Sequence, residues 1–227
     1  MQTMSLAQVA AVLADPTRAA MCLALMDGRA WTVGELGHAV GVAPSSASEQ
    51  VARLTAAGFV DSVRQGRHRY VRITDSRVAE LIERLSDHEA PPRPTGLRSS
   101  LRARRLAFAR TCYDHLAGRL GVTIRQRMLA TGLLDTSNGL ALTATGHQVL
   151  TGLRVAIPEG GRRPLLRECL DWTERREHLA GALPAALFAH AVGNGWLRRG
   201  ADRSVHLLPA GHSPFAALGV CLADLGL

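Results

Sequence analysis

Four side chains in the second half of the sequence carry the chemistry of soft-metal ligands or of a reactive thiol pair: Cys112, His115, Cys169 and His178. Thiolate sulfur and imidazole nitrogen together suit thiophilic metal ions and metalloids. Cys112 and His115 are three apart, so on a helix they share one face and could chelate together. Cys169 and His178 stand in related positions, and the four are the candidates for a metal or metalloid ligand set. Three other uses stay open: a thiol redox pair of Cys112 and Cys169, ordinary packing of small buried groups, or the wall of an organic-effector pocket. An enzyme is not expected. Cys112, Asp114 and His115 come with neither a strained nucleophile turn nor an oxyanion loop. Cys22 and Cys221 lie apart from the rest and read as core and near-terminal filler. With no CxxC pair among the four cysteines, free thiols in a reducing cytoplasm are expected.

A second set of polar residues lies in the first half. Pro44, Ser45, Ser46, Ser48, Glu49 and Gln50 lead a helical stretch that runs to about Ala57, with Arg53 one turn further on. Short hydroxyls and a glutamine amide suit base edges and phosphates, and a helix N-terminus attracts phosphate through its dipole. Arg64, Arg67, His68, Arg69, Tyr70 and Arg72 follow on a segment expected to form a hairpin, and its tip is locally positive. The chemistry these residues share is contact with double-stranded DNA.

The elements that must position them are legible around both sets. Leu6, Val9, Ala10 and Leu13 recur at helical spacing behind Ser5, and Asp15-Pro16-Thr17 restarts the chain with a cap and a proline at the first helical position. Met21, Leu23, Leu25 and Met26 give the second helix its buried side, and Gly28 ends it. Thr32 and Glu35 are spaced as a capping box for a third helix to about Ala39, and Gly41-Val42-Ala43 is a tight turn before Pro44. The period then switches to two across Phe59–Arg64 and Arg69–Ile73, the two strands of a basic-tipped hairpin around Gln65 to His68. Asp75 caps a last helix to about His88, with Val78, Leu81, Ile82 and Leu85 on one stripe. Helix, three-residue turn, helix and basic hairpin are the parts of a winged helix-turn-helix.

Composition bounds the rest. The chain has 227 residues, of which 47% are hydrophobic, enough for a sizeable core. The +8 net charge does not itself mark the DNA-facing half, because nine arginines face ten acids through Pro92 and eighteen face nine beyond it. No run approaches the ~20 apolar residues that cross a bilayer, and residues 1–8 do not read as a secretion signal. Glu89-Ala-Pro-Pro-Arg-Pro-Thr-Gly96 cannot continue a helix and reads as a stiff linker. The expected organisation is a DNA-binding domain over residues 1–90, a linker over 91–97, and a C-terminal sensor or dimer-stabilising domain over 98–227.

Several of these segments together resemble the arsenic-repressor (ArsR/SmtB) family. Val12-Leu-Ala-Asp-Pro-Thr-Arg-Ala-Ala-Met-Cys-Leu-Ala-Leu-Met26 is similar to its opening helices. Thr32 to Val60 is similar to its reading motif, and Gly66-Arg-His-Arg-Tyr70 to its wing. The resemblance covers about Leu6 to His88. It implies a homodimer paired through its first and last helices, which binds a pseudo-palindromic operator and represses until an effector arrives. Two metal sites of the family do not carry over. One needs thiols near Gly37 and Ala39, and the other finds Asp75 and His88 but has Arg77 and Pro91 where a His and a Glu belong.

The C-terminal half starts with an arginine-rich helix from Leu97 and then repeats itself. His115-Leu-Ala-Gly-Arg-Leu120 is echoed by His178-Leu-Ala-Gly-Ala-Leu183, and Gly132-Leu-Leu134 by Gly195-Trp-Leu197, each 17 residues after its histidine. Leu140 to His147 is echoed by Val205 to His212, and Cys112/Asp114 by Cys169/Asp171. Each unit, about 106–153 and 163–219, reads as helix, helix, short hairpin, helix: a truncated winged-helix-like module, duplicated. The half also resembles the C-terminal extension of actinobacterial members of the family. The expected fold is mainly α with small β-hairpin wings, an N-terminal winged helix-turn-helix followed by the two repeated units. A DNA-binding or assembly protein without a small effector remains the alternative to an effector-released repressor.

Overall fold

The computed structural model describes residues 5–65, 68–86 and 97–226, and the chain divides after Ser86 into two compact units. Residues 91–96 of the expected linker and His88 lie outside the described residues, as do Gly66 and Arg67, while Leu97, expected in the linker, opens a helix.

The N-terminal unit runs α1 (Leu6–Leu13), α2 (Pro16–Leu25), β1 (Trp31–Thr32), α3 (Val33–Val40), α4 (Pro44–Ala56), β2 (Val60–Gln65), β3 (His68–Ile73) and α5 (Ser76–Ser86). Its helix starts follow from local side-chain chemistry. Ser5 and Gln8 form a capping box on α1, Asp15 Oδ1 accepts from Arg18 N at 2.9 Å ahead of α2, and Thr32 and Glu35 form a second box on α3. Gly41 closes α3 at φ +73°, the left-handed value that lets the chain turn at once into α4. A Cβ on Gly37 would stand 2.8 Å from the buried Ala47 Cβ, so glycine at that position is what lets α3 and α4 pack closely. The strands pair in the order β1-β3-β2, with Val60 opposite Ile73 and Val63 opposite Tyr70. The short β1 carries no sequence signal of its own, because two residues are too few to show a period. Met21, Leu25, Leu36, Val51, Leu54, Val71 and Ile82 are among the buried side chains of this unit.

The C-terminal unit opens with α6 (Leu97–Phe108). It continues through β4 (Arg110–Cys112), β5 (His115–Ala117), α7 (Gly118–Ala130), β6 (Leu134–Asp135), β7 (Ala141–Leu142) and α8 (Ala144–Gly152). Then come β8 (Arg167–Asp171), β9 (Arg176–Ala180), α9 (Ala182–Gly193), β10 (Leu197–Arg199), β11 (Val205–Leu207), a 3-10 turn (Pro209–Gly211), α10 (His212–Ala217) and α11 (Leu222–Leu225). The element order after α6 is hairpin, helix, hairpin, helix, and it occurs twice.

This corrects the expectation of a helix at Cys112 and His115. The two residues face each other across the β4–β5 hairpin, joined by Tyr113 and Asp114, with Tyr113 at φ +59°. Strands of three residues are too short for alternation to show against a helical pattern. The α9 sequence is apolar on nearly every side and buries Leu183, Pro184, Leu187, Phe188 and Ala191. The core gathers Leu116, Leu120, Ile124 and Met128 with Leu179, Leu187, Phe188, Trp196 and Phe215. Within it α7 packs against β9, and α9 against β5.

Candidate functional site

On α4 the sequence separates two faces. Ala47, Val51 and Leu54 are buried against the unit, while Pro44, Ser45, Ser46, Ser48, Glu49 and Arg53 are exposed. Alanines and serines at the leading turns keep this outward face low, so another surface can come close to the backbone. Ser48 Oγ donates to Pro44 O at 3.0 Å and Arg53 pairs with Glu49 at 2.6 Å, both on the open side. An exposed pair of this kind contributes little, so Arg53 can exchange its partner for a phosphate at small cost.

Gln50, expected to read bases, has a partner within its own unit. It is half-buried, and its Oε1 accepts from Arg18 Nη1 at 2.9 Å. A glutamine that reads adenine needs both amide oxygen and amide nitrogen, and here the oxygen is committed inward. Arg18, 8% exposed, was missed by sequence reasoning. Its Nε donates to Val12 O at 2.6 Å and its Nη2 to Ala11 O at 3.0 Å, so one guanidinium joins the end of α1, the start of α2 and the side of α4. No sequence signal distinguished it from the arginines that end up exposed.

In the wing, Arg64 and Arg69 are exposed and directly opposite each other in the β2–β3 register. Like charges across a strand pair repel, and an external anion relieves that repulsion. Arg72 is exposed and lies opposite Asp61, and Tyr70 is half-buried. His68 is the first residue of β3, placed opposite Gln65. At the start of α5, Asp75 Oδ1 accepts from Arg77 N at 2.9 Å and Val78 N at 3.0 Å. Burial works to raise the Asp75 pKa, and these bonds with the Arg77 side chain outweigh it and lower it. The carboxylate is thus occupied as a helix cap, as the sequence predicts.

The C-terminal unit brings the four ligand candidates together. Cys112 lies across from His115 on one hairpin, and Cys169 across from His178 on the other. Cross-strand partners project to the same side of their ribbon. The two hairpins present these sides to one another: Sγ of Cys112 and Cys169 are 4.0 Å apart, and Nε2 of His115 and His178 are 3.2 Å apart. All four donor atoms lie within 4.8 Å of one another. Cys112, His115 and His178 are buried and Cys169 is half-buried.

Carboxylates stand behind both imidazoles. His115 Nδ1 is 3.2 Å from Asp114 Oδ1, and Arg163 holds that carboxylate with two hydrogen bonds of 2.5 and 2.9 Å. His178 Nδ1 is 3.8 Å from Oδ2 of Asp171, a fully buried residue. Asp171 accepts from the Gly118 N–H at 2.6 Å, the Thr173 N–H at 2.9 Å and the Thr173 hydroxyl at 2.6 Å. The fully buried Arg110 lies 3.0 Å from it as an ion pair, off hydrogen-bonding geometry, with its guanidinium 4.6 Å over the Trp172 ring.

The charges follow from these contacts. Burial works to raise the Asp114 pKa, but the His115 and Arg163 contacts hold it at about 2. Burial opposes ionisation of Asp171 likewise, and Arg110 and Thr173 bring it to about 2. His115 is raised: burial works to lower it, and Asp114 and Cys169 more than compensate. The Cys169 thiol is pushed far down, chiefly by the Cys112 contact; burial works the other way, and both histidines add to the lowering. By contrast, burial pushes the Cys22 thiol up to about 12, which leaves it an inert core group. Cys221, expected as filler, is exposed.

The family described as "Helix-turn-helix domain" matches residues 13–63. A curated relative from Bacillus subtilis (strain 168), the uncharacterized HTH-type transcriptional regulator YdfF, is 35% identical over 216 residues, covering 93% of this chain and 95% of that one. The chain belongs to the helix-turn-helix transcriptional regulators. The motifs quoted from the sequence resemble the ArsR/SmtB type within them, and the helix-turn-helix makes DNA its partner. Among solved structures, this regulator is similar to the homodimeric winged helix-turn-helix domain of Mb0332 from Mycobacterium bovis, with 25% identity, 38% of this chain and 87% of that one covered, and a TM-score of 0.33. It is also similar to the cadmium metal-sensor CMTR from Mycobacterium tuberculosis, with 28% identity, 40% and 98% coverage, and a TM-score of 0.31. Among the described residues of the regulator, no helix is long and apolar enough to cross a membrane.

Proposed function

We propose that this regulator grips an inverted-repeat operator as a homodimer. Each protomer seats α4 in a major groove and lays its β2–β3 wing on neighbouring phosphates, and an effector releases the repressor. The observation that carries this reading is the open row Pro44, Ser45, Ser46, Ser48 and Arg53 on α4, together with the facing arginines 64 and 69 in the same unit. Arg67, His68 and Tyr70 complete the proposed contact set at the tip and base of the wing.

The dimer is supported by α1, whose sequence LAQVAAVL is almost wholly apolar yet buries no residue within the single chain. Leu6 is 85% exposed, and Leu85 on α5 is 47% exposed. A second copy covering both would remove that apolar surface from water, at roughly 25 cal/mol per Å².

The C-terminal unit is read as the sensing or dimer-stabilising part, built from two related hairpin–helix–hairpin–helix segments. The sequence echoes support that reading, and so do paired glycines in matching roles. Gly118 and Gly181 both hold positive φ where a hairpin meets a helix, and a Cβ on either would come within 3 Å of a carbonyl oxygen.

The test is fluorescence anisotropy on fragments selected from genomic DNA, across a salt series. Arg64→Ala with Arg69→Ala should weaken all duplexes alike and flatten the log–log salt slope by about 0.9 for each phosphate that is no longer neutralised. A purified protein that ignores duplex DNA at low ionic strength overturns the reading.

A further inference from the structure

We propose that Cys112, His115, Cys169 and His178 form a closed tetrahedral Cys2His2 site for a zinc-class divalent ion, which staples the two hairpins of the C-terminal unit.

The distances fit that ion. A regular tetrahedron with metal–sulfur bonds of ~2.3 Å and metal–nitrogen bonds of ~2.0–2.1 Å separates two sulfurs by ~3.8 Å and two nitrogens by ~3.3 Å. The observed separations are 4.0 Å between the sulfurs and 3.2 Å between the Nε2 atoms. Each hairpin supplies one sulfur and one nitrogen, and all four donor atoms lie within 4.8 Å of one another.

The imidazoles argue for a cation more strongly than the sulfurs do. Both Nδ1 atoms face carboxylates, which favours the tautomer with the proton on Nδ1. That leaves two Nε2 lone pairs pointing at each other across 3.2 Å in a buried place. Such an arrangement repels. A cation that accepts both lone pairs relieves that repulsion, as does a proton that one ring donates to the other. A carboxylate behind the far nitrogen is also how metal-bound histidines are commonly oriented.

Charge accounting selects a divalent ion. Asp114 is balanced by Arg163 and Asp171 by Arg110, so neither carboxylate is left to neutralise anything in the cluster. Two thiols that lose their protons to solvent on binding contribute two negative charges, and one divalent cation makes the buried set neutral. Two thiolates with two imidazoles suit zinc and its tetrahedral surrogates better than hard, oxygen-seeking ions. With all four positions taken by protein, the ion has no open position for substrate, which marks a structural role. A disulfide between Cys112 and Cys169 would need the sulfurs at about 2.0 Å and would give the paired histidines no purpose.

The experiment uses the full chain purified under reductant. Elemental analysis should find one zinc per chain, and X-ray absorption should resolve two sulfur and two nitrogen neighbours. Exchange for cobalt(II) should produce the thiolate charge-transfer band and the intense d–d bands of a tetrahedral ion. Cys169→Ser and His178→Ala should abolish stoichiometric binding, while Cys221→Ser keeps it. Asp114→Asn should retain the ion with about 10–100-fold weaker affinity, read by chelator competition. Since ligand variants can fail to fold, the wild-type cobalt spectrum decides alone. Wild-type protein that takes up neither zinc nor cobalt, or one isolated with a Cys112–Cys169 disulfide, overturns the site. Operator binding is measured separately, so failure here leaves the DNA-reading assignment standing, and the reverse also holds.

Discussion

Replacing Arg18 by methionine tests whether one buried guanidinium holds α4, the proposed DNA-reading helix, in place. Methionine keeps most of the apolar stem and removes the three hydrogen bonds to Ala11 O, Val12 O and Gln50 Oε1. Hydrogen bonds from a charged donor contribute ~1.5–3 kcal/mol each, and the two carbonyls, at the end of α1, recover part of that from water. Taking about 1 kcal/mol per bond after that recovery, the N-terminal unit should lose about 3 kcal/mol. With an m-value of about 1.5 kcal/mol/M in urea, its midpoint should fall by roughly 2 M. Trp31 lies in this unit, and its fluorescence in a variant lacking Trp172 and Trp196 isolates the transition. Operator affinity should fall too, because Gln50 and α4 lose their tether, but the salt slope should stay as in the wild type, since every phosphate keeps its partner. A midpoint shift below about 0.5 M would refute the tether. A flattened salt slope would show instead that Arg18 itself touches DNA.

Asp171→Asn leaves Arg110 charged and buried without its counter-ion, and should cost about 3–5 kcal/mol in guanidinium unfolding followed through Trp172. Gly121→Ala places a methyl 2.5 Å from Leu116 O and should destabilise the C-terminal unit. Gly34→Ala in α3 meets nothing within 4 Å and should stabilise the N-terminal unit by up to about 1 kcal/mol, as thermal melts would show. Leu6→Glu with Ala10→Glu should shift sedimentation from dimer to monomer while each chain stays folded, because both side chains are exposed in their own protomer.

The N-terminal unit was legible because its signals are local. Ser5, Asp15, Thr32 with Glu35, Pro44 and Gly41 each act within four residues of themselves, and the hairpin alternation ran for six residues on one side and five on the other. What escaped depends on distance. Arg18 and Gln50 are 32 residues apart, and nothing in either neighbourhood announces the other. In the C-terminal unit the internal echoes singled out the cysteines and histidines that the fold brings together, but the spacing of Cys112 and His115 pointed to a helix where a hairpin stands. Three-residue strands give no period to detect, and the turn rests on Tyr113 at positive φ, a residue that carries no turn signal. The charge pairs Arg110–Asp171 and Arg163–Asp114 were equally hidden, since the partners stand 61 and 49 positions apart.

Within the C-terminal unit the two similar segments have traded supports: the helix that follows the first hairpin leans on the second, and the helix that follows the second leans on the first. Neither segment can therefore be finished alone. As the polypeptide leaves the ribosome, α7 lacks its main wall until Ala180 has emerged, and a product cut short before that point would carry a bare apolar flank into the cell. Maturation of this half should be all-or-none, and its truncated forms should be fodder for proteases rather than working fragments.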